Sequence, residues 1–144
     1  MRKRLAYILV SLLYVCTSVL TCQVGYAAFA GGEDGEETQP RYSYTSFITA
    51  YVAENSDGDA DCTVTVHGKS SATKISGYMY LEQYKNGQWV QYDYWYDSVS
   101  DSTMYMSETR AVTSGYKYRV RFSGTVYSGS NSESVSATSA TVQF

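Results

Sequence analysis

The chain is short of the residues that interrupt or staple a small domain. It has one proline, Pro40, one histidine, His67, and three cysteines, Cys16, Cys22 and Cys62. One imidazole with no second histidine and no cysteine pair cannot build a zinc site. No Gly-x-Ser-x-Gly elbow is present, and His67 is the only candidate base, so no serine or cysteine has the partner that nucleophilic catalysis needs. There is no glycine-rich phosphate loop. After residue 24 no long apolar run recurs, and no segment repeats its apolar residues with a helical period. What the chain has in quantity is tyrosine, with 13 of its 16 after residue 30.

The first 30 residues read as an export signal forming a short signal helix. Met1-Arg2-Lys3-Arg4 is a basic start, residues 5–24 are mostly apolar, and Ala28-Phe29-Ala30 is a small-residue cleavage pattern. Ser11, Thr17, Ser18, Thr21 and Gln23 make the run too polar for a comfortable membrane anchor. Val19-Leu20-Thr21 lacks the small residue usual before an acylated cysteine, which counts against Cys22 as a lipid site. The protein is therefore expected to be secreted, with no membrane span after cleavage. Loss of residues 1–30 leaves 114 residues with 8 basic and 14 acidic side chains, a net charge of −6. An acidic domain is a poor match for nucleic acid. Cys62 then stands alone. No internal disulfide is possible, so Cys62 is expected as a buried thiol, the alternative being a cross-link between two chains.

Residues 31–40 are acidic and glycine-rich, and read as a disordered leader ending at Pro40. Residues 41–144 read as one all-β domain. Seven strands are expected, near 42–52, 60–67, 75–84, 89–97, 103–109, 116–123 and 134–144, each bounded by Gly, Ser, Asp or Asn. Short strands at regular spacing imply an antiparallel β-sandwich. The serine-rich residues 128–139 read as a loop entering an edge strand.

The strongest local signal is Asn86-Gly87 between two alternating runs. A type I′ turn needs φ > 0 at both central residues, and Asn-Gly satisfies it most readily. Lys85 should then pair with Gln88, and Tyr84 with Trp89. Strict alternation from that turn sorts the hairpin into two faces. Ile75, Gly77, Met79, Leu81 and Gln83, with Val90, Tyr92, Tyr94 and Tyr96, form the more aliphatic face and are expected in the core. Tyr78, Tyr80, Glu82 and Tyr84, with Trp89, Gln91, Asp93 and Trp95, form the opposite, aromatic face. A one-residue slip would exchange the faces. Further core positions are Cys62, Val64, Val66, Met104, Met106, Tyr118, Val120, Phe122, Val142 and Phe144. Thr63, Thr65, His67, Arg119 and Arg121 alternate with them and should face water.

Residues 112–122, with Gly115-Tyr116-Lys117-Tyr118-Arg119-Val120-Arg121, resemble the corner and penultimate strand of fibronectin type III and immunoglobulin-like sandwiches. The resemblance implies that the Tyr118 hydroxyl bonds back to upstream backbone. Val120 stands where a true immunoglobulin domain has its second cysteine. With the Gly87-Gln88-Trp89 hairpin, residues 42–144 are also similar to a group of small secreted Gram-positive bacterial proteins of unknown function. That likeness implies location and fold and brings no catalytic residues.

Three chemical readings remain. Glu82 and Asp93, on one expected face, could act as a glycosidase pair only across a cleft, which a flat sheet lacks; the protein is expected not to be an enzyme. Asp57, Asp59 and Asp61 put oxygens at every second residue, as calcium loops do, but the glycine falls at the wrong position for an EF-hand; no cofactor is otherwise implied. Tyr78, Tyr80, Glu82, Tyr84, Trp89, Gln91, Asp93 and Trp95 together form a candidate ligand face. The expected function is an extracellular structural or protein-interaction module, with a carbohydrate-binding module as the alternative.

Overall fold

The structure is a computed structural model that describes residues 42–144; the expected signal helix and acidic leader lie outside the described residues. Eight strands follow one another: β1 (Thr45–Glu54), β2 (Ala60–Gly68), β3 (Lys74–Lys85), β4 (Gln88–Val99), β5 (Thr103–Arg110), β6 (Lys117–Ser128), β7 (Asn131–Thr138) and β8 (Val142–Gln143). They form two antiparallel sheets, one ordered β1-β2-β5 and one ordered β4-β3-β6-β7, with β8 also on β6. The expected all-β sandwich is thus present. Among the described residues there is no helix long and apolar enough to cross a membrane.

Inner faces follow the alternation. Cys62, Val64 and Val66 of β2, Met104 and Met106 of β5, Ile75, Met79 and Leu81 of β3, and Tyr118, Val120 and Phe122 of β6 are all buried, with Phe144 closing one end. Val142 packs at the margin, half-buried. Each fully buried aliphatic or aromatic side chain contributes about 1.5–3 kcal/mol, which is how the described residues hold together with no disulfide among them. Cys62 is a free, buried thiol. Burial, with help from the carboxylates of Asp61, Asp93 and Glu108, pushes its pKa up to about 12. It is therefore an uncharged core group at neutral pH.

Two polar side chains enter this core and are satisfied there. The Tyr118 hydroxyl donates to the Thr113 carbonyl at 3.1 Å and accepts the Thr113 N–H at 3.0 Å. It also accepts from Gln83 Nε2 at 2.6 Å. The backward bond expected of Tyr118 is therefore made, and it ties the β5–β6 connection to β6.

The carboxyl-terminal part differs from expectation. Residues 128–139 are not a loop: β6 runs on to Ser128, turns over Gly129 (φ 61°), and β7 returns from Asn131. The strand expected at 134–144 is split into β7 and β8. Ser139 causes the break, because its Oγ accepts the Val120 N–H at 2.9 Å and donates to the Ala140 carbonyl, replacing a ladder bond with a side-chain bond. Serine, read as loop chemistry, is compatible with a strand whose neighbour supplies the ladder.

Close approach matters at one pair of glycines. Gly77 faces Gly124 across β3 and β6, and the Phe122 ring lies over both. A Cβ on Gly124 would sit 2.5 Å from the Phe122 ring and 2.6 Å from the Ser76 carbonyl oxygen. Gly124→Ala is expected to cost about 1–3 kcal/mol of stability. Tyr118→Phe, which strands Gln83 and the Thr113 backbone, should cost a similar amount, about 1–3 kcal/mol. Urea unfolding of each variant checks both; a midpoint within error of wild type for either would contradict the packing or bonding assigned to it.

Candidate functional site

The β3–β4 hairpin turns as its sequence requires. Asn86 has φ 53° and Gly87 φ 79°, Lys85 pairs with Gln88, and Tyr84 pairs with Trp89. The register then slips once. Glu82 pairs with Gln91, but Leu81 pairs with Asp93, so Tyr92 is an extra residue on β4. This β-bulge reverses the sidedness of the rest of the strand.

The candidate ligand face must be redrawn accordingly. Asp93 and Trp95 do not join Tyr78 and Tyr80. They oppose Leu81 and Met79, and Trp95 packs against the core. Tyr94 and Tyr96, expected inside, oppose Tyr80 and Tyr78 on the outer face. Tyr92 and Val90, also expected in the core, are 36% and 39% exposed at the sheet edge, because among the described residues no strand covers the outer side of β4 there. Tyr92 sets its ring edge-on to Tyr118 at 5.4 Å and donates its hydroxyl to the Ala111 carbonyl at 3.2 Å. Trp89 and Gln91 precede the bulge and keep their outward places.

The outer face that results is a continuous aromatic surface. Tyr78 has the Tyr96 ring at 4.8 Å, Tyr80 at 5.9 Å and Tyr94 at 6.2 Å; Tyr84 and Trp89 pair at 5.1 Å. Such pairs stabilise a sheet by about 0.2–1 kcal/mol each. Beside them, on β6, Arg119 lies 4.2 Å from the Trp89 ring centre and Arg121 lies 4.2 Å from that of Tyr80. Glu82 sits between these arginines, accepting from Arg119 Nε at 2.8 Å and from Arg121 Nε at 2.7 Å.

Glu82 is thus not the free, water-facing carboxylate that alternation implied. It is 7% exposed, and each of its oxygens is engaged. Burial alone would raise its pKa, but the bonds and charges of Arg121 and Arg119 outweigh that and hold it below the ordinary carboxylate range. Arg119 and Arg121 face outward but are half-buried against rings and carboxylate. Asp93 instead pairs with Arg110 of β5 at 2.8 Å. Glu82 and Asp93 therefore lie on opposite faces of the sheet and cannot act as a catalytic pair.

Other candidate chemistry is equally closed. His67 packs at a tilt against Phe47, ring centres 4.3 Å apart, and its Nδ1 lies 3.3 Å from Thr103 Oγ1. Asn55 Oδ1 accepts the N–H groups of Asp57 and Asp59, both at 3.0 Å, while Asp61 accepts from Asn55 and Thr109. The loop is a self-bonded turn. Asp57, Asp59 and Asp61 are not gathered around a point, and among the described residues no three His, Cys, Asp or Glu side chains could hold a metal.

Alternation alone missed Tyr94, Tyr96 and the two arginines. It also passed over the outer face of the smaller sheet, where Phe47, Tyr51 and Tyr105 stand exposed among threonines. In the run from Tyr92 to Tyr96 every residue but Asp93 is aromatic, so a two-residue period has no polar phase to reveal the slip. The chain matches no family model, no curated protein and no solved structure.

The ion cluster has a pH signature. Because the folded-state pKa of Glu82 is depressed, its stabilisation is present above the unfolded glutamate value of about 4.3 and is lost as pH falls through the folded value. Glu82→Gln is expected to cost about 1–3 kcal/mol at neutral pH and to flatten the loss of stability below about pH 5. Urea midpoints taken across that range for both proteins check this; parallel curves would refute the clamp.

Proposed function

We propose that this domain is a secreted, non-catalytic interaction module that docks a protein partner on the tyrosine face of β3 and β4. The observation that carries the reading is the exposure of Tyr78, Tyr94 and Tyr96, at 40%, 54% and 57%, as neighbours on one flat sheet face. Tyrosine and arginine are enriched where protein surfaces meet, since each joins a large apolar contact area to a polar tip. Contiguous exposed aromatics are unusual on a surface that binds nothing. The strand order and the Tyr118 corner support a fibronectin type III-like reading of the scaffold, in keeping with such a role.

A glycan is the less favoured ligand. Stacking on a sugar calls for free ring faces beside free hydroxyl acceptors. Here Glu82 is consumed by two arginines, Trp89 carries Arg119 on its ring, and Trp95 points inward.

The test compares wild type with a Tyr78→Ser, Tyr94→Ser, Tyr96→Ser variant, both immobilised and exposed to envelope proteins and, separately, to cell-wall polysaccharides. At least one protein should be retained by wild type and lost from the variant. With that partner purified, each single Tyr→Ala change at these positions should weaken binding about tenfold. Retention of polysaccharide alone, or equal capture by wild type and variant, would reject the reading.

A further inference from the structure

A sandwich has two flanks where the edges of its sheets come together, and here they differ. On the flank formed by β1 and β7, Glu133 of β7 accepts the N–H groups of Ser43 and Tyr44, at 2.6 and 2.7 Å, and the Thr45 hydroxyl at 2.7 Å. The Tyr42 hydroxyl reaches the Ser136 backbone of the same strand. Burial would raise the Glu133 pKa, but these donors hold it below the usual range. That flank is sealed by side chains.

The flank formed by β4 and β5 is joined at one end, by Arg110–Asp93 and by Tyr92 on the Ala111 carbonyl. Beyond that end the two strands part. Each is an edge strand with no partner on its outer side among the described residues. Between them runs an open groove of about 480 Å3, lined by Trp95, Tyr96 and Asp97 of β4 and by Tyr105, Met106, Ser107 and Glu108 of β5.

The geometry points to this groove as a second binding site, one that takes an extended basic peptide segment by strand addition to the free edge of β4. Three features converge on that occupant. The edge is regular here, because the bulge at Tyr92 lies outside the groove, and an unpaired strand edge is a template for another strand. The lining is mostly polar, with the partly buried Trp95 ring and Met106 as its apolar part. The charge is negative: Asp97 and Glu108 line the groove and neither forms an ion pair among the described residues, the nearby Arg110 being held by Asp93.

Alternation determines how such a segment is read. Residues of the added strand that face inward meet Asp97, Glu108 and the Trp95 ring, where lysine or arginine gains both charge pairing and a cation–π contact. Residues that face outward extend the row of Tyr94 and Tyr96. The groove follows β5 from Tyr105 to Glu108, so an added strand of about four residues matches it. A second copy of this domain fits poorly, because β4 carries no lysine or arginine and its counterpart would bring a second Asp97 to the groove with no basic side chain to meet it. The groove shares Tyr96 with the tyrosine face, but its charge reading rests on Asp97 and Glu108, which are not part of that face.

The test uses the purified chain carrying Trp89→Phe, which leaves Trp95 as its one tryptophan and keeps an aromatic ring beneath Arg119. A synthetic peptide alternating lysine and threonine is titrated while Trp95 fluorescence is recorded. Two controls alternate glutamate and threonine, or carry lysine and threonine with alternate backbone amides N-methylated. The expected result is a saturable change with the lysine peptide alone. Asp97→Asn and Glu108→Gln, neutral and close in shape, should each weaken binding about threefold, with circular dichroism unchanged. Equal response to the glutamate peptide, or retained affinity in both variants, would overturn the charge reading. Equal binding of the N-methylated peptide would overturn strand addition, and no saturable response to the lysine peptide would overturn the site altogether.

Discussion

The antiparallel ladder between β3 and β6 is the contact on which the other features depend. It runs unbroken from Lys74–Tyr127 to Tyr84–Lys117. Because strand side chains alternate strictly, this one register places Met79, Leu81, Val120 and Phe122 on the inner face together and sets Glu82 between Arg119 and Arg121 on the outer face. The glycine pair Gly77 and Gly124 lies within it, where the Phe122 ring leaves no room for a side chain. Shifting the ladder by one residue would bury the arginines and expose the core, so the buried aliphatics and the outer ion cluster specify the same alignment.

The β4 bulge converts a symmetrical hairpin into one with two chemically different sides. Without it, Tyr94 and Tyr96 would point into the sandwich, and Trp95 with Asp93 and Asp97 would point to solvent. With it, a small indole-floored groove opens between the sheets and the tyrosines join an exposed face. Space explains the preference. The interior near Met79 and Met106 accepts one partly buried indole at the edge, while two further tyrosines there would crowd a core already holding Tyr118 and Phe122.

Charge in this domain is divided by neighbours more than by exposure. Glu82 and Glu133 are held ionised by donors that bind strands together, the first across β3 and β6 and the second from β7 to the start of β1. Asp97 and Glu108, at the open flank, have no ion pair among the described residues. Carboxylates that look alike in the sequence therefore separate into structural ties and groups without a basic partner among these residues, the Asp97 carboxylate meeting only the N–H of Ser98.

Much of the fold was legible because it rests on local chemistry. Asn86-Gly87 specified its turn and the first pairs beyond it, since few other residues tolerate two positive φ angles in succession. Alternation located the cores of β2, β3, β5 and β6, and the resemblance of residues 112–122 to a fibronectin type III-like corner implied the Tyr118 hydroxyl bond. The extent of β6 and β7 was hidden, because serine and threonine suit a loop as well as a strand lying against a paired neighbour. The candidate site was half legible: Tyr78, Tyr80, Tyr84, Trp89 and Gln91 lie where alternation puts them, but Glu82 is buried, and Asp93 and Trp95 face the other way. By itself the sequence determined the class of fold, the turn and the core positions of β2, β3, β5 and β6, but not the inward side of β4. Only the tertiary structure decided which aromatics are exposed and which carboxylates are free, because a single extra residue in β4 and the arginines of a strand thirty-odd residues away act through packing that no local pattern records.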